Sequence, residues 1–197
     1  MNKISKSEIT RKVIHLLSAI IPLSYLWIIK DRWIMLSILV ILTLFALIVE
    51  YLRKNGGHFS KWFHGIFHFM LRDNESKGEH TGATWLLIGW TITVMLFKMP
   101  IAVAALLFLS IGDSFAAIVG KLYPIIKIGD KTLSGTFSGF IASFLIVMLI
   151  NQSLIPIVIL SGSVVAMVVE LIPSKLNDNL TMPIFSGLIM MYLETAV

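Results

Sequence analysis

The sequence predicts an all-α, polytopic membrane helix bundle: a single integral domain over residues 1–197, with about seven transmembrane helices and one amphipathic helix at the interface. Three observations predict it. Hydrophobic residues make up 57% of the chain and charged residues only 14%, against about 45–50% and about 25% in soluble domains. The mean hydropathy is +0.89. Apolar runs recur along the whole chain, several of them long enough to cross a hydrocarbon core of ~30 Å. The absence of cysteine excludes a disulfide framework, a thiolate metal site and a cysteine nucleophile. The formal charge of +5 is not a nucleic-acid signature, because the charges sort by membrane side.

The first run, near 13–30, follows Lys3, Lys6, Arg11 and Lys12 and so has the outline of a secretory signal. It runs directly into Lys30, Asp31 and Arg32 with no small-residue cleavage pattern, and is read as a retained span. The second, near 33–52, closes on Glu50 and Arg53, an i, i+3 pair read as a structural ion pair. Residues 58–71 are different. Phe59, Trp62, Phe63, Ile66, Phe67 and Met70 recur at helical spacing against Lys61, His64 and His68, which predicts an interfacial amphipathic helix. His64 and His68 stand i, i+4, but no third ligand shares their face.

Five further runs follow near 83–97, 100–119, 137–150, 154–172 and 181–195. Thr81 is placed to cap the first of these. Pro100 and Pro156 sit in opening turns, where a missing N–H costs little. With a cytoplasmic N-terminus, 13 of the 16 Lys and Arg fall inside and only Lys30, Arg32 and Lys98 outside. This asymmetry predicts the orientation, with the active face and the N-terminus cytoplasmic, in the cell or inner membrane if the source is bacterial. Glu8, Glu50, Asp73, Glu75, Glu79, Asp113, Asp130, Glu170 and Asp178 fall on or near the same face, leaving only Asp31 and Glu194 elsewhere. Charge sorting explains the bases but asks for no acids beside them, so one functional face is the economical explanation.

Asp113 is the most informative residue. It interrupts a strongly apolar run eight residues before Lys121, about 12 Å along a helix, where an isolated carboxylate is expensive and marks a site or pathway. Small residues surround it in Gly112-Asp113-Ser114-Phe115-Ala116-Ala117 and Gly120. The loop Gly129-Asp130-Lys131-Thr132-Leu133-Ser134-Gly135-Thr136 offers a lysine and hydroxyls before a helix, a composition that suits phosphate oxygens as well as a simple helix cap. It lacks the leading glycine and the strand of a P-loop. Glu170 ends the sixth span, Asp178-Asn179-Leu180-Thr181-Met182-Pro183 opens the seventh, and Arg11 and His15 share a face of the first with Lys12 beside them. Carboxylates for Mg²⁺ and cations for phosphate thus converge on one side of the membrane.

The stretch Gly112-Asp113-Ser114-x-Ala116-Ala117-x-x-Gly120, followed by Lys131-Thr132-x-x-Gly135, resembles the CTP-dependent lipid kinases. That family includes dolichol kinase, phytol kinase and the CTP-using diacylglycerol kinase, and is related to the phosphatidate cytidylyltransferases. Asp178-Asn179-Leu180-Thr181-Met182-Pro183 looks like the kinase branch's Asp-Asp-Asn-Leu-Thr-x-Pro, and Arg11-Lys12-x-x-His15 matches its opening helix. The resemblance implies CTP- and Mg²⁺-dependent phosphorylation of the hydroxyl of a membrane lipid alcohol. Asp113, Lys131 and Asp178 would be catalytic, with Asp113, Asp178 and Glu170 as metal ligands. Lys121, Lys131, Thr132, Gly135, Asn179, Arg11, Lys12 and His15 would contact the nucleotide. Ser134 stands where the family carries Glu, and Asn177 where it carries Asp. Three rival readings are CMP transfer to a lipid phosphate, a transporter coupled to an ion through Asp113, and a degenerate paralogue. The expected partners are a lipid alcohol from the bilayer and a nucleoside triphosphate, with no nucleic acid.

Overall fold

A computed structural model describes residues 6–76, 78–174 and 176–196; the expectations placed on Lys3, Lys77 and Lys175 lie outside them. Among the described residues the regular structure is helical apart from one short hairpin of two-residue strands. In order come α1 (Lys6–Leu17), α2 (Ile20–Ser24) with a wide π turn at Tyr25–Ile29, α3 (Arg32–Lys54), α4 (Gly57–Phe67) and α5 (Asp73–Ser76). Then follow α6 (Gly82–Leu96), α7 (Met99–Leu107), a second π segment at Phe108–Asp113 and α8 (Ser114–Leu122). The hairpin β1 (Lys127–Ile128) and β2 (Lys131–Thr132) precedes α9 (Leu133–Ile150), α10 (Pro156–Leu171) and α11 (Asp178–Ala196).

Every apolar run of the sequence is a helix. Four stretches are long and apolar enough to cross a membrane, namely Ser7–Ile29, Arg32–Lys54, Met99–Leu122 and Leu133–Ile150. Gly82–Leu96 and Pro156–Leu171 are apolar but shorter. These helices make the chain an integral membrane protein. Its outer surface agrees: Trp33, Ile41, Phe45 and Ile48 of α3 are largely exposed, as a lipid-facing belt requires. Pro100 and Pro156 occupy the first turns of α7 and α10, and the Thr81 side chain caps α6 through the Thr84 N–H.

The centre of the bundle is the continuous stretch from α7 to α8. Ile101 to Gly112 is buried throughout, as expected of a helix that is hydrophobic on all sides. Around it stand α9, α10 and α11, while α6 lies between α3 and α11. The charges separate along the bundle. Arg32 donates to the carbonyls of Val94 and Met95, and Lys98 lies 3.9 Å from Glu194. The other ion pairs among the described residues, those of Asp113, Glu50, Glu8, Glu170 and Asp178, gather at the other end.

The structure corrects the sequence reading at several points, among them the start of α9 at Leu133 rather than near 137. The polar loop after α8 contains an antiparallel hairpin pairing Lys127 with Thr132, turned at Gly129 with φ 61°. The amphipathic helix stops at Phe67 rather than 71. The last helix begins at Asp178 rather than 181, because the Asn177 side chain accepts from the Asn179 N–H and starts it earlier.

Candidate functional site

The site is built where α1, α6, α8, the hairpin and the starts of α9 and α11 meet. Asp113 closes the π segment, so its carboxylate projects from a helix whose winding has just widened. Its partners come from α1. Lys12 Nζ donates to Asp113 Oδ2 at 2.6 Å, and His15 Nε2 stands 3.4 Å from the same oxygen. His15 Nε2 is also 3.3 Å from the Leu109 carbonyl. One turn earlier, Lys121 pairs with Glu8. The acid inside the membrane run is therefore paired across 101 positions of sequence.

The second pairing brings three elements together. Lys131 Nζ, on β2, donates to Glu170 Oε1 of α10 at 2.7 Å and to Asp178 Oδ2 of α11 at 2.8 Å. Burial disfavours the ammonium, but the carboxylates of Glu170 and Asp178 outweigh it and hold its pKa above the ordinary lysine range. Glu170 is 3% exposed and takes a further bond from Thr136 Oγ1 at 3.2 Å. Lys131 thus bridges the end of α10 and the start of α11.

Asn179 is fixed from the other side. Its Nδ2 donates to the Gly82 carbonyl at 2.9 Å. The absence of a side chain at Gly89 lets the Asn179 backbone press against α6, because a Cβ there would overlap the Asn179 carbonyl. The loop before α6 is in turn held by a buried network. Glu50 accepts from Arg53, from the Thr81 N–H at 2.7 Å and from Thr84 Oγ1 at 3.0 Å. Arg53 donates to the carbonyls of Glu75 and Glu79, and Glu75 accepts from the N–H groups of Arg72 and Gly82. The pair expected from the i, i+3 spacing is thus the anchor of a whole loop.

These groups surround two adjoining chambers. The inner one, of about 530 Å³, takes in Arg11, Lys12, His15, Asp113, Lys121, Lys131, Thr132, Glu170, Asp178 and Asn179. The outer one, of about 1040 Å³, lies between the loop before α6 and the loop from α10 to α11. Arg72, Asp113, Asp130, Lys131, Asp178 and Asn179 border both. From the sequence Arg72 stood only among the inner-face bases before the third span. Its guanidinium makes no hydrogen bond or ion pair among the described residues, and the structure places it at the junction.

Of the residues expected at the nucleotide, Gly135 lies away from the chambers and Thr132 also serves as a helix cap. Gly135 lines neither chamber; it lies in the α8–α9 contact, where a Cβ would run into the Ala116 carbonyl, and its N–H is taken by Thr132 Oγ1 at 3.1 Å. Thr132 borders the inner chamber, but its side chain is the N-cap of α9. Ser134 lines neither chamber, donating to the Tyr123 carbonyl and accepting from the Ile125 N–H.

The donor chemistry fits Mg²⁺ within limits. Among the described residues no three His, Asp or Glu side chains gather into a cage, and Asp113, Glu170 and Asp178 are each paired with a lysine. A small cation of this kind ordinarily takes one or two carboxylates and completes its shell with water and substrate phosphates. Asp113 and Asp178, exposed to both chambers, suit that arrangement.

The chain is similar to an uncharacterized protein of Rickettsia prowazekii (strain Madrid E), 29% identical over 192 residues that cover 90% of each chain. No family model matches the chain, and no solved structure matches it.

Proposed function

We propose that this protein is a CTP-dependent lipid kinase, transferring the γ-phosphoryl group of CTP to the hydroxyl of a membrane lipid alcohol (a polyprenol, a phytol-like alcohol or a diacylglycerol). One observation carries the reading. The charged and amide side chains of the motifs behind the resemblance, Arg11, Lys12, His15, Asp113, Lys131, Asp178 and Asn179, come from distant parts of the chain and border one cavity. In this reading the bundle crosses the membrane seven times, with the cavity and the N-terminus on the cytoplasmic side, where the bases concentrate.

In the reaction the acceptor oxygen forms a bond to the γ-phosphorus, the bond from that phosphorus to the β–γ bridging oxygen breaks, CDP leaves and the hydroxyl proton is released. Little covalent work is asked of the protein, so positioning and charge neutralisation supply most of the rate. Lys12 and Lys131 exchange part of their carboxylate contacts for phosphate oxygens, with Arg11 and Lys121 behind them. Asp113 and Asp178, with Glu170 adjacent, would hold Mg²⁺, which would supply charge neutralisation at the phosphates. Thr132 positions Lys131 by capping α9 one residue later. The acceptor enters sideways from the bilayer between α1 and α6, where Ile14 and Leu86 give the inner chamber an apolar flank.

Limited proteolysis tests the reading. CTP with Mg²⁺ is expected to protect the loops at 129–132 and 173–178, and Mg²⁺ alone is not. Equal cleavage with and without CTP would favour an ion-coupled transporter instead.

A further inference from the structure

The two chambers differ in chemistry in a way that orients the nucleotide. Five cations border the inner chamber, Arg11, Lys12, Arg72, Lys121 and Lys131. Among the described residues, only Arg72 and Lys131 of these border the outer one, and both stand at the junction. Beyond the junction the outer wall carries the hydrogen-bonding and aromatic groups of Asn74, His80, Trp85 and Asn177 together with the carboxylate of Glu79, and no further Lys or Arg among the described residues. The His80 and Trp85 rings meet at 85° with centroids 6.1 Å apart, a perpendicular contact that covers at most one face of the half-buried indole. The outer chamber is walled largely by the stretch before α6 and the loop from α10 to α11, with Trp85 from the first turn of α6, whereas the inner one is flanked by Ile14 of α1 and Leu86 of α6.

A nucleoside triphosphate has the same polarity, with several negative charges at one end and a flat, neutral, hydrogen-bonding ring at the other. We infer that the nucleoside end lies in the outer chamber against Trp85, with the phosphates drawn through the junction past Arg72 towards Lys131 and Lys12. This inference rests on the nucleotide-dependent reading above. It leaves the apolar flank of the inner chamber to the acceptor, so that the two substrates reach the junction from opposite sides. It also gives Arg72 a role: a cation with no ion pair among the described residues, at the neck that the charged end must pass. Stacking on one aromatic ring is sequence-tolerant and contributes a tenfold or greater change in affinity, on the order of what base–aromatic contacts lose on truncation.

Equilibrium binding of two probes to the purified, detergent-solubilised protein tests this, using CTP and inorganic tripolyphosphate, each with Mg²⁺. Trp85→Leu is expected to weaken CTP about tenfold and leave tripolyphosphate unchanged, which also reports that the variant is folded. Trp85→Phe is expected to restore CTP, and Arg72→Gln to weaken both probes. If Trp85→Leu weakens both probes equally or neither, the nucleoside does not lie in the outer chamber. If the wild-type protein binds tripolyphosphate as tightly as CTP, the phosphate site stands and the nucleoside site falls. If it binds neither probe, the nucleotide-dependent reading itself is overturned.

Discussion

Lys12 and Asp113, 101 positions apart, meet at 2.6 Å inside the helical bundle. This pair ties the first helix to the central one at the depth where the sequence is otherwise apolar. Removing one member leaves the other without its partner, and losses of about 3–5 kcal/mol are typical when a buried pair is broken in this way.

The two members of that pair should differ when replaced. Asp113→Asn keeps the side chain's shape and removes its charge, so the protein is expected to insert and purify normally while lipid phosphorylation falls at least about a hundredfold, of the order seen when a group acting on transition-state charge is removed. Lys12→Met leaves a carboxylate facing only His15 and is expected to melt at a lower temperature than Asp113→Asn. Near-normal activity of Asp113→Asn would exclude its metal role.

Lys131 makes a prediction about pH. Its folded-state pKa is raised by Glu170 and Asp178, so its stabilising contribution is fully present below the ordinary lysine pKa and is lost only as pH rises through the higher folded value. Wild-type stability from Lys131 should therefore be flat across neutral pH. In Lys131→Ala the two carboxylates face each other without a cation, which raises the pKa of one of them and makes the folded state gain stability on acidification. Melting temperatures between pH 5 and pH 8 check this: the variant should rise relative to wild type as pH falls, and parallel profiles would count against the bridge.

The α8–α9 contact should be sensitive to size and to capping. Gly135→Val places methyl groups against the Ala116 carbonyl and is expected to cost about 1–3 kcal/mol. Thr132→Ala removes the cap of α9, a loss of about 1 kcal/mol, and Thr132→Ser is expected to recover most of it. Chemical unfolding in detergent micelles measures both.

The network around Glu50 predicts a local effect. Arg53→Ala leaves Glu50, which is 3% exposed, without its cation and frees the carbonyls of Glu75 and Glu79. A stability loss of about 3–5 kcal/mol and faster proteolysis within residues 72–81 are expected. Unchanged cleavage there would mean that the loop is held by something else.

Bulk at the flank of the inner chamber should separate the substrates. Leu86→Trp is expected to raise the KM for the lipid acceptor several-fold and leave CTP binding unchanged, as steady-state kinetics and direct binding together show. A change confined to CTP would place the acceptor elsewhere.

Much of this was legible in the sequence, and for identifiable reasons. Helices follow from apolar runs whose length the bilayer dictates, and the start of α6 follows from Thr81, a hydroxyl just before such a run. Asp113 stood out because a carboxylate in that setting is costly. The pairing of Lys131 with both Glu170 and Asp178 was not legible, since residues 39 and 47 positions away become neighbours only through the packing of three helices. The π segment before Asp113 left no periodic trace beyond Gly112. Thr132 and Gly135 were read as phosphate-binding because a hydroxyl and a glycine before a helix suit that role and helix capping equally; packing gave Thr132 to the cap and Gly135 to the helix contact. Arg72 was legible only as one of the inner-face bases before the third span; its place at the junction of the two chambers came from packing.

The most direct test supplies the purified protein with Mg²⁺, a mixed lipid extract containing known alcohol acceptors, and CTP radiolabelled at either the γ- or the α-phosphorus. The account predicts label in lipid from the γ position only, dependent on Mg²⁺ and lost in Asp113→Asn. Label from the α position would make the protein a cytidylyltransferase, and label from neither would remove the kinase reading altogether.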